Sequence, residues 1–253
     1  MAERSRTHLV LIPSYNPGAK VYETVRSALA HWSPVWVVVD GSTDGTLEAL
    51  QALARDDPGL RVLSLPRNRG KGAAVLHGLR EAHAAGFTHA LTMDADGQHP
   101  ADRVHEFMAL SQAHPGAQIL GVPTFDHTAP LERVYARRIV NWWANLETLW
   151  VGIGDSLFGF RVYPVGPLLE IMERQPWMRG YDFDSEAAIR LCWRGYHPIN
   201  KPVPVKYFRP EEGGVSHYHY LRDNVILFCM HVRLLVESLL RMPFLLARRF
   251  AGR

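Results

Sequence analysis

Two uninterrupted apolar runs of strand length constrain this chain more than any other feature: His-Leu-Val-Leu-Ile-Pro at residues 8–13 and Val-Trp-Val-Val-Val-Asp at residues 35–40. A strand with one wet face alternates apolar and polar side chains, whereas a strand without a polar face must be covered on both sides. Helical spacing across residues 19–32, 46–55 and 73–85 supplies the covers, and residues 61–65 and 90–93 read as further strands. The resulting β-α-β-α-β-α-β alternation predicts an α/β fold with a doubly wound, Rossmann-like sheet. Ligands in such sheets sit beyond the carboxyl ends of the strands, so residues 13–17, 40–44 and 94–98 are expected to converge on one crevice.

The alternation weakens after residue 120. Residues 131–151 have the spacing of a helix rich in Trp and Arg. Residues 158–163, 184–194 and 203–208 read as strand, helix and strand, and residues 221–250 form a long, interrupted apolar helix. At 253 residues, with 47% hydrophobic and 21% charged side chains, the chain can close one large core without disulfides. The expected organisation is a catalytic domain over 1–220 and an amphipathic helical tail over 221–253. Cys192 and Cys229 lack ligand or disulfide spacing and are expected to be buried thiols. Residues 1–8 carry no apolar signal region, which predicts a cytoplasmic protein. Neither the thirteen histidines nor the basic residues form a metal-ligand or nucleic-acid-binding pattern.

Met93-Asp94-Ala95-Asp96-Gly97-Gln98 places two carboxylates one residue apart at the end of an apolar strand. If strand geometry continued, both would project to one side, as hard oxygen ligands suited to Mg²⁺ or Mn²⁺ and, through it, to a diphosphate. An Asp-rich turn is the structural alternative. The loop Asp40-Gly41-Ser42-Thr43-Asp44-Gly45-Thr46 ends another buried strand. Thr43 or Asp44 there suits a helix cap, while Asp40 suits a base or ribose. Arg67-Asn68-Arg69-Gly70-Lys71-Gly72 looks like an anion-binding nest, without the Ser or Thr that follows the lysine of a Walker loop.

Pro13-Ser14-Tyr15-Asn16, Val39-Asp40-Gly41-Ser42, Gly70-Lys71-Gly72 and Asp94-Ala95-Asp96-Gly97-Gln98, in this order and spacing, resemble the family 2 glycosyltransferases. Dolichyl- and polyprenyl-phosphate sugar synthases are the nearest in pattern, over about residues 8–217. The resemblance implies a GT-A fold with a mixed sheet and a transferase that inverts the anomeric carbon of a nucleotide-diphosphate sugar. It assigns Pro13, Tyr15, Asp40 and Lys71 to the nucleotide-sugar site, and Asp94, Asp96 and Gln98 to the metal and diphosphate. Asp155-Ser-Leu-Phe-Gly-Phe-Arg161 and a loop with Arg209, Gly214 and Ser216 match further motifs, Arg209 closing over the diphosphate. The chain departs from the synthases at Pro17, Val39, Phe158 and His217.

Asp184 matches the general base used by family members that glycosylate a hydroxyl; capping of the following helix is the structural alternative. Arg133, Arg137 and Arg138 lie in the region where the synthases receive a lipid phosphate, beside the interfacial aromatics Trp142, Trp143 and Trp150. Arg233, Glu237 and Arg241, four apart, form one polar stripe on the last helix, and Pro243 is expected to kink or restart it. With Arg248, Arg249 and Arg253, the stripe suits a helix lying on the inner face of an anionic membrane, or one packed on protein. The expected function is hexose transfer from a UDP- or GDP-sugar to a membrane-associated lipid or polyprenyl-phosphate acceptor. The alternatives are transfer to a hydroxyl with Asp184 as base, a sugar-phosphate nucleotidyltransferase, or an inactive nucleotide-sugar-binding scaffold.

Overall fold

The computed structural model describes residues 4–125, 131–205 and 220–251. Both apolar runs are strands: β1 (His8–Ser14) and β2 (Val35–Asp40) are buried at every position. Helices on the two faces explain why neither strand has a polar side. α1 (Lys20–His31) turns Val21, Thr24, Val25 and Ala28 inward, an i, i+3, i+4, i+7 stripe. α2 (Thr46–Asp56) follows β2, β3 (Leu60–Leu65) is a partly exposed edge strand, and α3 (Lys71–Ala84) covers the opposite face through Ala74, Val75 and Leu79.

Next come β4 (His89–Thr92), α4 (Val104–Ala113), β5 (Ala117–Thr124) and α5 (Leu131–Glu147), then β6 (Arg161–Pro164), α6 (Val165–Arg174), α7 (Phe183–Arg194), β7 (His197–Pro204) and α8 (Tyr220–Ala251). Among the described residues they build one seven-stranded sheet in the order β3-β2-β1-β4-β6-β5-β7. β6 alone runs antiparallel to both its neighbours, which makes the sheet mixed. That reversal sets Arg161 opposite Thr92, directly below the turn that follows β4.

Several expectations shift. β4 ends at Thr92 and residues 94–98 form a turn with Gly97 at φ 78°, so strand alternation does not align Asp94 and Asp96. The helix expected over 131–151 stops at Glu147, where Leu149 and Trp150 take positive φ values of 54° and 56°. β7 begins earlier than residue 203, and β5 and α4 had no counterpart in the pattern. α8 runs through Pro243 without a break. Cys229 is exposed, whereas Cys192 is buried and its thiol is pushed up to about 12 by that burial.

The polar stripe of α8 faces protein. Arg190 of α7 forms two bonds with Glu237, at 2.7 and 2.8 Å, and Glu186, fully buried, pairs with both Arg190 and Arg233. Arg248 donates to the Trp193 and Arg194 carbonyls at the end of α7, and Arg249 to Leu149. Met230 and Leu234 pack with Ala144, Ile189 and Trp193, so α8 joins the body of the fold. A burial-compensated ion network of this kind fixes register, because removing any one member strands a charge.

Candidate active site

The carboxyl ends of β1, β2 and β4 deliver three loops, the first two of which are stitched together by side-chain to backbone hydrogen bonds. Asn16, at φ 41°, donates its amide to Ser42 Oγ at 3.0 Å and accepts the Thr43 amide on its side chain at 2.8 Å. Asp44 accepts the amides of Gly18 and Thr46, at 3.2 Å each, so the second aspartate of its loop serves the turn and the helix start. Pro13 is buried and Tyr15 half-buried at the end of β1.

Asp40 is only 2% exposed, and its carboxylate accepts the Arg69 amide at 2.9 and 3.1 Å and the Gly70 amide at 2.8 Å. The nest anticipated at residues 67–72 is therefore filled by this protein's own anion. Burial pushes the Asp40 carboxyl above its ordinary value against these bonds. The next amides, of Gly72 and Ala73, go to the carbonyls of Gly180 and Arg179. This packing leaves no room for a side chain: a Cβ on Gly72 would stand 2.6 Å from the Met178 carbonyl.

Lys71 reaches from that turn into the crevice. Its Nζ lies 2.7 Å from Asp94 Oδ1 and 2.7 Å from Asp184 Oδ2, so one ammonium bridges two strand-distant carboxylates. Burial works against the charge, but Asp184 and Asp94 outweigh it and raise the lysine well above its ordinary value. In Asp94, likewise, burial is overcome by Lys71, and the carboxyl is held below its usual range. Asp184 is 3% exposed and lies inside the first turn of α7, where it caps nothing; its Oδ1 is buried without a partner among the described residues.

Asp96 Oδ1 closes the 94–98 turn by accepting the Gln98 amide at 3.0 Å, so the structural alternative, an Asp-rich turn, is present. Burial and the neighbouring Asp94 both raise the Asp96 carboxyl, against the opposing pull of His99 and Lys71. Among the described residues no group of three or more His, Cys, Asp or Glu could enclose a metal. Two carboxylates nonetheless fit Mg²⁺ or Mn²⁺, which hold several waters and take further oxygens from a substrate phosphate.

Two further residues, both inside stretches matched by pattern but given no role there, position the site. His99 Nδ1 accepts the Asp94 amide at 2.9 Å, which leaves the Nε2 proton facing Asp94 Oδ2 at 3.6 Å. Arg161, fully buried, donates to the carbonyls of Phe158, Asp155 and Asp184. It ties the start of α7 to the loop over the crevice. A buried guanidinium spending its donors on carbonyls is a structural signal, readable only once the chain is folded.

The remaining residues are dispersed. Arg137 is paired with Asp155 at 2.7 Å, and Arg138 is exposed, above the Tyr135 ring. The side chain of Arg133 and all of Arg209, Gly214, Ser216 and His217 lie outside the described residues.

A mixed seven-stranded sheet with an acidic turn after β4 is the GT-A glycosyltransferase arrangement, and the comparisons agree. Residues 9–171 match glycosyl transferase family 2, and the chain belongs to that family. It is 27% identical over 210 residues to the undecaprenyl-phosphate mannosyltransferase of Micrococcus luteus, covering 77% of this chain and 82% of that one. To the polyprenol monophosphomannose synthase of Mycolicibacterium smegmatis it is 28% identical over 216 residues, covering 82% and 79%. S. aureus TarS in complex with UDP shares the fold at a TM-score of 0.54 and 17% identity, over 92% of this chain and 65% of that one.

Proposed function

We propose that this glycosyltransferase moves a hexose from a UDP- or GDP-sugar to a polyprenyl-phosphate or related lipid acceptor at the inner face of the membrane, inverting the anomeric carbon. The observation that carries the reading is the Asp94–Asp96 turn at the carboxyl end of β4, with Lys71 2.7 Å from Asp94 and Asp184, in a family 2 chain. Two relatives named for sugar transfer to polyprenyl phosphates support the acceptor class.

In this reading Asp40, Tyr15 and Pro13 receive the nucleoside, and Asp94, Asp96 and Gln98 hold Mg²⁺ or Mn²⁺. The metal's chemistry is to neutralise charge on the departing nucleoside diphosphate. Lys71 fixes the direction of Asp94 and of Asp184, and Arg161 fixes the backbone beneath Asp184. An acceptor phosphate is already ionised and needs no base. Arg138 and Arg133 are candidate phosphate contacts, with Arg137 available only if its bond to Asp155 opens.

Transfer to a hydroxyl is the second reading, and one observation favours it: Asp184 Oδ1 has no hydrogen-bond partner among the described residues, a place for a hydroxyl proton. Association with the membrane rests on α8. No helix among the described residues is long and apolar enough to cross a membrane. Yet Leu221, Val225, Phe228, Val232, Val236 and Leu239 recur at helical spacing and stand exposed. The lipid contact is thus assigned to the apolar face of α8, in place of its polar stripe.

The test is binding and transfer across UDP-, GDP- and dTDP-sugars with Mn²⁺ or Mg²⁺, using polyprenyl phosphate in vesicles, for wild type, Asp96→Ala and Asp184→Asn. Metal-dependent donor binding lost in Asp96→Ala, with phosphate-acceptor transfer kept in Asp184→Asn, supports the proposal. Transfer only to hydroxyl acceptors, abolished in Asp184→Asn, establishes the second reading. Donor binding unchanged by Asp96→Ala overturns the metal assignment.

A further inference from the structure

Behind the turn that carries Lys71 lies a cleft of about 630 Å³, bounded by the end of β3, one face of α3 and the segment before α7. Arg67, Arg69, Arg80 and Arg179 all line it, with His77 between them and Leu65 and Leu76 among its apolar walls. The turn separates this cleft from the crevice, because its amides serve Asp40 while its arginine side chains border the cleft.

The charges in the cleft are nearly uncompensated. Among the described residues the only carboxylate paired with any of the four arginines is Glu173, 3.0 Å from Arg80 and about half exposed. Arg179 is held in place by donating to the carbonyls of Met172, Gln175 and Met178, which fix its guanidinium without neutralising it. Burial and the nearby Arg80 both disfavour its charge. Like charges kept together against repulsion, around an open volume with an apolar wall, form a receptor for a multiply charged anion with an organic part.

We propose that this cleft is a second ligand site, outside the catalytic crevice, for a small molecule bearing a diphosphate group. Guanidinium forks match phosphate oxygens in pairs, and the volume suits a molecule the size of a nucleotide. Its occupant is either a nucleoside diphosphate, the class of product this reaction releases, or free inorganic diphosphate. The site sits against the backbone of residues 178–180, which packs on Gly70 and Gly72 on either side of Lys71.

Calorimetric titration at fixed ionic strength with a chelator present separates the two regions, since diphosphate binding in the crevice is proposed to need the metal held by Asp94 and Asp96. Inorganic diphosphate, UDP and GDP are titrated into wild type, Arg67→Gln/Arg80→Gln and Asp96→Ala, each checked for folding by circular dichroism. The expected result is one diphosphate per chain, affinity weakened about tenfold or more in the double variant, as for charged hydrogen bonds, and no change in Asp96→Ala. Tighter binding of UDP or GDP with the same loss identifies a nucleoside diphosphate as occupant; equal affinities identify the diphosphate group alone. Absence of binding to wild type, equal binding to the double variant, or loss in Asp96→Ala overturns the proposal.

Discussion

Lys71 and Asp184 meet at 2.7 Å although 113 residues separate them, and the same ammonium contacts Asp94. This contact joins the two acidic elements of the crevice, the turn after β4 and the start of α7. The side chains of Lys71 and Asp184 are largely buried, so neither charge is well served by water once the other is gone. Lys71→Met is expected to cost about 3 kcal/mol of stability by stranding the carboxylates. Lys71→Met/Asp184→Leu is expected to recover part of that loss. Urea unfolding of the single and double variants measures both, and equal stabilities of Lys71→Met and wild type would show that the contact carries no net energy.

Asp182, 6% exposed, gives the fold a pH dependence of unusual sign for an aspartate. Burial, reinforced by Glu186, pushes its carboxyl up to about 6 from the ordinary 3.8. Below about pH 4 both folded and unfolded chains keep the proton. Between about 4 and 6 the unfolded chain releases a proton that the folded chain retains, so rising pH favours unfolding; above 6 the loss is complete. The contribution is at most about 3 kcal/mol. Asp182→Asn is expected to gain on wild type from pH 4 to 6 and then hold its lead. Unfolding free energies at pH 4, 5, 6 and 7 check this, and a constant difference between the two proteins would mean that Asp182 titrates normally.

The C-terminal end of α7 depends on one glycine. Gly195 sits at φ 97°, and its amide donates to Cys192 at 2.9 Å while Tyr196 donates to Leu191 at 3.0 Å. A Cβ there would collide with the Arg248 guanidinium that bonds the Trp193 and Arg194 carbonyls. Gly195→Ala therefore loses both an unstrained helix end and the docking of Arg248, at a cost of about 1–2 kcal/mol. Gly195→Ala/Arg248→Ala should cost less than the sum of its parts in a thermal unfolding series. Strict additivity would separate the two residues.

Much of this was legible from residue pattern. β1 and β2 announce themselves because strands covered on both faces have nothing polar to hide. Asp40 closes β2 and the acidic turn follows β4, both at the carboxyl ends of strands as the pattern predicts. β5 was invisible: Gln118, Gly121 and Pro123 look like a loop. Yet Gln118 is buried and donates to the Ala188 and Tyr196 carbonyls, and Gly121 clears the Phe160 carbonyl, 2.6 Å from where a Cβ would stand. Those reasons are tertiary. The pairing of Lys71 with Asp184 and the bond of Arg161 to the Asp184 carbonyl are invisible for the same cause, since neither has a local spacing. On α8, spacing showed which residues share a face without showing what covers it, and the charged stripe turned out to pair with α7.

That reversal leaves the apolar stripe of α8 to be explained, with Phe228 64% and Val236 54% exposed. Solvent contact along six residues at helical spacing is unfavourable, and burial in lipid would recover about 1–2 kcal/mol for each side chain covered. Phe228→Asp/Val236→Asp removes two of these and sets charges in the lipid interface. Co-sedimentation with anionic vesicles is expected to fall tenfold or more, while donor binding in solution stays at the wild-type level because both side chains are exposed and carry none of the bonds that hold the crevice. Undiminished sedimentation would dismiss lipid as the cover. If wild type self-associates in solution and the double variant does not, the stripe is instead the contact between two copies of the chain.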